Sequence, residues 1–260
     1  MSQRIFIDMV RAELLKLRRR RSIIALAAFF TLGIVAIYFG VEVIQHAADP
    51  NRYGPAGGLH AYDRAIELLS VFFGALAAIL VGTEAGAGDL SSGVFRDLVV
   101  TGRSRLWLFA VRVPAALIVS WALALAALGV SLAAAYGFAG GQPTPDATFV
   151  LDSVLWVLAA QGVLCAIAVG LGSLTGSRAA SLVTLIGWEV IAGRLLAQIT
   201  FLGSVRDVIP NVALGALKPG DPLPDTNALT MGAGVAVAIL LIWALMWLGA
   251  GAWRTRTRDA

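Results

Sequence analysis

Apolar residues fall in long blocks along this chain, and nearly all of its charges lie in the short stretches between them. A helix needs about 20 residues to cross the hydrocarbon of a bilayer. Six blocks reach that length, at 22–43, 65–83, 106–136, 150–174, 179–200 and 228–252. The pattern predicts an all-α, polytopic membrane protein: a single transmembrane domain over 1–260 with six transmembrane helices. The third block is overlong, which predicts a tilted helix or one that projects from the bilayer. The turn Thr175–Arg178 leaves so little chain that the fourth and fifth helices must form a tight hairpin. Polar, Pro- and Gly-bearing segments at 44–63, 139–147 and 201–227 join the other helices.

Residues 2–21 have a different period. Phe6, Met9, Val10, Leu14 and Leu17 share one helical face, with Arg4, Asp8, Arg11 and Arg18 on the other side. An amphipathic helix of this kind is expected to lie in the headgroup layer, with the cluster Arg18, Arg19, Arg20 and Arg21 as its membrane-interface contact on anionic lipid. The apolar run after Arg21 is too long for the core of a cleavable signal peptide, and no small-residue cleavage site closes it.

Composition agrees with lipid as the main solvent: 58% of residues are hydrophobic and 14% charged, against about 25% charged in soluble domains. The net charge of +4 reflects basic residues beside the ends of apolar blocks rather than a nucleic-acid surface. Fourteen Lys and Arg fall on the side holding both termini, four on the other (Arg52, Arg64, Arg206, Lys218), and Arg112 and Arg194 fall within spans. That bias places both termini in the cytoplasm, in a multi-pass arrangement in the cell inner (plasma) membrane. The single cysteine, Cys165, precludes an intramolecular disulfide.

Missing motifs narrow the function. A phosphate-binding loop needs a lysine directly after glycine, but Lys16 follows Leu15 and Lys218 follows Leu217. ATP therefore cannot bind this chain by that route. His46 and His60 are isolated, so no metal site is expected. No nucleophile–base pair or paired carboxylates emerge, which ranks a membrane enzyme last. Gly82/Gly86 and Gly172/Gly176 have the four-residue spacing of close helix packing.

The most informative polar stretch is Gly82 to Arg105. It has room for a short helix from Val94 to Val100, capped by Ser91 or Ser92 and stopped by Gly102. Phe95 and Leu98, flanked by Arg96 and Asp97, give that helix a surface for docking. Three features together resemble the membrane subunits of type II ABC exporters. Glu13-Leu-Leu-Lys16-Leu-Arg18-Arg19 is similar to their E-x-x-K-x-x-R-R interfacial helix. Glu84 and Gly93-Val-Phe-Arg-Asp-Leu-Val-Val-Thr-Gly-Arg-Ser-Arg105 resemble their acidic residue and following loop, with Val94 where threonine is common. Val208-Ile-Pro210-Asn-Val-Ala-Leu-Gly-Ala-Leu217 looks like their last outer segment.

The resemblance implies that 84–101 is a coupling helix, with Glu84, Phe95, Arg96, Asp97 and Leu98 seated on a separate ABC ATP-binding subunit. It also implies that the permease is half of a dimer with a second copy or a sister chain. ATP and Mg would belong to the partner, and this chain would hold no cofactor. The rival reading is an ATP-independent channel or secondary transporter; the absence of any visible repeat between the two halves weighs against inverted-repeat transporters.

Within the spans, Glu189 and Arg194 are costly in lipid and are candidates for the translocation path or for a buried anchor. Five positions apart, they lie about 140° around a helix, too far for a good pair, so partners are expected from other helices. Asp152 and Arg112 are nearer the interfaces and are expected to snorkel.

The topology is testable by introducing cysteines at Asn51, Gln142 and Ser177 in a Cys165→Ala background. An impermeant outside reagent should label the first two sites and spare the third. Labelling of Ser177→Cys from outside would overturn the orientation.

Overall fold

The computed structural model describes residues 3–94, 100, 102, 104–220 and 231–257. It is 85% helical, with no strand among the described residues, so the all-α class holds. Six helices are long and apolar enough to cross a membrane. The N-terminal helix α1 spans Gln3–Arg19. The six long helices follow: α2 Arg21–Ala48, α3 Gly58–Ser91, α4 Arg105–Gly137, α5 Ala147–Thr175, α6 Arg178–Gln198 and, after the short helix α7 Pro210–Gly215, α8 Ala233–Thr257. All six long helices match the blocks read from sequence, with ends displaced by a few residues. The largest change is in α3, which begins seven residues earlier and ends eight later than the expected 65–83.

Helix ends follow local chemistry. Ser104, Asp146 and Ser177 cap α4, α5 and α6, each side chain accepting from the backbone N–H three residues on. Gly176 closes α5 in the left-handed region at φ 69°. It therefore makes the tight α5–α6 turn and not the helix packing its spacing suggested. The overlong third block is one helical track with a break at Val111, between Arg105–Ala110 and Arg112–Gly137.

α3 and α5 form the buried centre. Gly82 and Gly86 on α3 lie against the Cys165 and Val169 carbonyls of α5, and Gly172 faces Thr83 and Ala87 in return. A side chain at these points would collide with backbone, so the small-residue spacing is what lets the two helices touch. Gly170 and Gly251 bring α8 onto the opposite face of α5 in the same way. By contrast, much of α2, α6 and α8 leaves large apolar side chains exposed, among them Ile44, Val183, Ile242 and Leu245. Such a surface suits hydrocarbon.

The segments between helices at the end away from the termini pack on one another. The Gly57 and Leu59 N–H groups donate to the Phe138 and Pro143 carbonyls, and Trp156 Nε1 donates to the Leu214 carbonyl of α7 at 2.8 Å.

Gly170→Ala is expected to destabilise the fold by about 1–3 kcal/mol, because a Cβ there meets the Trp247–Leu248 backbone. Gly249→Ala, with open space around it, should be neutral. Thermal unfolding in detergent separates the two; equal midpoints would contradict the α5–α8 contact.

Candidate functional site

Three places concentrate chemistry: the end of the bundle beside α1, a cavity beside α6, and a charged cluster around Lys218. At the first, α3 extends beyond the expected span and presents Glu84, Gly86, Asp89 and Ser91. Glu84 is therefore part of the long helix and not of a separate loop segment. Its buried carboxylate is shared, Oε1 with Arg20 Nε at 3.2 Å and Oε2 with Arg178 Nη1 at 2.8 Å. Asp89 Oδ2 likewise takes Lys16 Nζ at 2.8 Å and Arg112 Nη2 at 3.1 Å. Arg112 Nη1 and Ser173 Oγ both donate to the Gly86 carbonyl at 3.2 Å, and Arg178 Nε donates to Ser91 Oγ. Two carboxylates on one helix thus gather α1, α4 and α6.

This geometry corrects one expectation and adds to another. Arg112 does not snorkel. Its side chain is 1% exposed, beneath α1, with Asp89 and the Gly86 carbonyl as partners. The apolar face of α1 also meets protein: Val10 and Leu17 are buried against the α3–α4 core, Phe6, Met9 and Leu14 pack beside them, and Phe6 sets its ring edge-on to Trp107 at 5.4 Å. A helix stripe of this width satisfies equally a lipid or a protein surface, so the sequence pattern alone does not choose. Arg18, Arg19 and Arg21 stay exposed, while Arg20 turns to Glu84. Glu13 is buried beside Lys16, and that burial raises its carboxyl above the ordinary range, with Lys16 at 2.6 Å pulling it back.

Phe95, Arg96, Asp97 and Leu98 lie outside the described residues. Ser91 and Ser92, the expected caps, each donate a hydroxyl to the Gly88 carbonyl at the end of α3.

The second place depends on two departures from α-helical geometry. A π-helical turn at Leu68–Phe72 widens α3, and another at Trp188–Ala192 widens α6. Such turns leave backbone carbonyls without their usual partners. Gln161 of α5 donates to the Leu69 carbonyl at 3.1 Å while accepting from Ser120 Oγ. Arg194 donates through Nη2 to the Val71 carbonyl at 2.8 Å and through Nε to the Glu189 carbonyl at 3.3 Å. Its guanidinium lies 4.1 Å from the centre of the Phe72 ring. As the spacing indicated, Arg194 does not bond the Glu189 carboxylate but finds its partner on another helix.

Glu189 is 3% exposed and lines a cavity of about 270 Å³. Asn211 stands beside its carboxyl, yet neither Glu189 Oε2 nor Asn211 Nδ2 has a partner at hydrogen-bonding distance and angle. Asp152, the other acidic residue singled out in a span, is exposed.

A third cluster escaped the sequence reading. Lys218 Nζ, with its side chain 0% exposed, bonds Asp63 Oδ1 at 2.8 Å and Glu67 Oε1 at 3.4 Å, and Arg64 joins Glu67 at 2.8 Å. The i, i+4 spacing of Asp63 and Glu67 on one helix face was its sequence signal. Among the described residues no group of His, Cys, Asp and Glu is placed to hold a metal ion.

Fold and sites define a class: a multi-pass, all-helical membrane protein with a charge-knit end and, beside α6, an apolar cavity that holds a buried acid. Compared with known protein families and with curated proteins, the chain matches none.

Asp89→Asn is expected to cost about 3 kcal/mol, since it takes the carboxylate from the buried Arg112. Adding Arg112→Met should recover part of the loss. A double-mutant cycle on unfolding midpoints reads the coupling, and strict additivity would mean the pair contributes nothing.

Proposed function

We propose that the chain is the permease subunit of an ATP-driven ABC exporter, forming half of the translocation path and coupling to a separate ATP-binding subunit that carries ATP and Mg. A second permease copy or a sister permease would complete the path. The observation that carries this reading is the pair of ion-paired carboxylates, buried Glu84 and half-buried Asp89, at the end of α3 from which 92–104 emerges. A soluble partner pushing on that segment would act on α1, α3, α4 and α6 together, because the four are joined by charge-assisted bonds. An element that moves as a unit is what a remote ATPase needs to shift a membrane equilibrium, and its differential contacts in two states would do the shifting. The absent phosphate-binding loop and the basic bias of the terminal side support this reading, in which the partner would be cytoplasmic.

The test is Phe95→Asp with Leu98→Asp, which introduces charge into the proposed contact. An ATP-binding subunit should then fail to co-purify, or its hydrolysis should no longer respond to the permease, while membrane insertion is unchanged. Solute flux by the purified chain with no ATPase present would replace this reading by an ATP-independent channel or secondary transporter.

A further inference from the structure

The cavity beside α6 holds a combination that the fold does not use. Its walls come from five helices: Ile79 of α3, Leu171 of α5, Trp188 and Glu189 of α6, Asn211 of α7, and Trp243 and Trp247 of α8 among them. Nearly all of that lining is apolar, so the Glu189 carboxyl and the Asn211 amide are its main polar groups. Each keeps a buried polar atom without a hydrogen-bond partner. A polar group left so costs the fold free energy, and proteins retain such groups mainly where something else completes them. Arg194 does not do so, because its Nε and Nη2 are turned to the Glu189 and Val71 carbonyls and its plane to Phe72. Indoles line the same cavity, with Trp188 and Trp243 tilted at 37° and 5.9 Å between ring centres. Indole faces attract cations.

We propose that this cavity binds a single-chain amphiphile carrying a protonated amine: the ammonium on Glu189, close to the tryptophan faces, an adjacent oxygen on the Asn211 amide, and the chain along Leu171 and Trp247. The site is small enough to take one alkyl chain with its head and too small for a two-chain lipid. The inference rests on the six-helix membrane fold and not on an ATPase partner, so its test uses this chain alone.

The chain in phosphatidylcholine nanodiscs is titrated with terminally brominated octylamine, octanol and octanoate, and bromine quenching of indole fluorescence is read. The amine is expected to quench saturably and more tightly than the other two. Glu189→Gln should weaken the amine about tenfold or more, the loss of one charge-assisted hydrogen bond, and leave octanol little changed, which also shows the cavity intact. Ala192→Phe, which narrows the cavity with the carboxyl in place, should weaken amine and alcohol alike. Equal binding of amine and octanol to the unaltered chain, amine binding indifferent to Glu189→Gln, or amine binding indifferent to Ala192→Phe would each overturn the assignment. Failure here would leave the coupling of 84–101 to an ATPase untouched, since the two tests share no residue.

Discussion

Inside a bilayer there is no water to complete an open backbone hydrogen bond, so every carbonyl that a helix releases must be met by the protein itself. The π-helical turn of α3 at Leu68–Phe72 is where this constraint governs the arrangement. It releases carbonyls at the centre of the bundle, and Gln161 of α5 and Arg194 of α6 reach in to bond Leu69 and Val71. Two side chains from two helices thereby fix how α5 and α6 sit along and around α3. The glycines then set the distance: Gly82 and Gly86 admit the α5 backbone, and that closeness puts the Gly86 carbonyl within reach of Ser173. The polar bonds and the close packing are parts of one geometry, since neither could form with α3 and α5 held apart.

At the end beside α1 the same helix carries two carboxylates, and the four cations that meet them differ in burial. Arg112 is enclosed, while Lys16, Arg20 and Arg178 keep 36–47% of their side chains exposed. Exposed pairs contribute little individually and are screened by salt, whereas a buried pair is costly to break. The α3–α4 joint is therefore the stiff one. The attachments of α1 and α6 add apolar contact to bonds that water and salt weaken, so they are softer than the α3–α4 joint while remaining tied to it.

What sequence could reveal here follows from which physical signals are local. Length and apolarity are local, so all six long helices and the tight α5–α6 turn were readable, as was the close packing of Gly82, Gly86 and Gly172. The reach of Glu84 was not: Ala85, Gly86, Ala87 and Gly88 look like loop to a hydropathy pattern, yet their small size lets α3 continue against Val169 and Ser173. Arg112 was misjudged for a related reason. Its fate depends on α1 folding over it, and nothing near position 112 encodes that. The π-helical turn of α3 has no residue signature, and the side chains that meet its carbonyls lie 92 and 123 positions away along the chain.

Glu189 and Arg194 looked alike in the sequence, as two charges in one span, and the fold separates them. Arg194 has a structural explanation that is complete at its described contacts: two backbone carbonyls and an aromatic face. An arginine so placed holds α6 to α3, and its charge is dispersed over dipoles that the widened helices provide. Glu189 has no equivalent. The turn Trp188–Ala192 that carries it faces the cavity, and the same widening that supplies a carbonyl to Arg194 leaves the carboxyl with an orphaned oxygen among tryptophans. One local distortion therefore serves two ends, anchoring α6 through Arg194 and holding beside it a carboxyl with one unpartnered oxygen. Any movement of α6 along α3 would have to break the Arg194–Val71 bond first, and that makes the acid's position a property of the helix packing rather than of a flexible side chain.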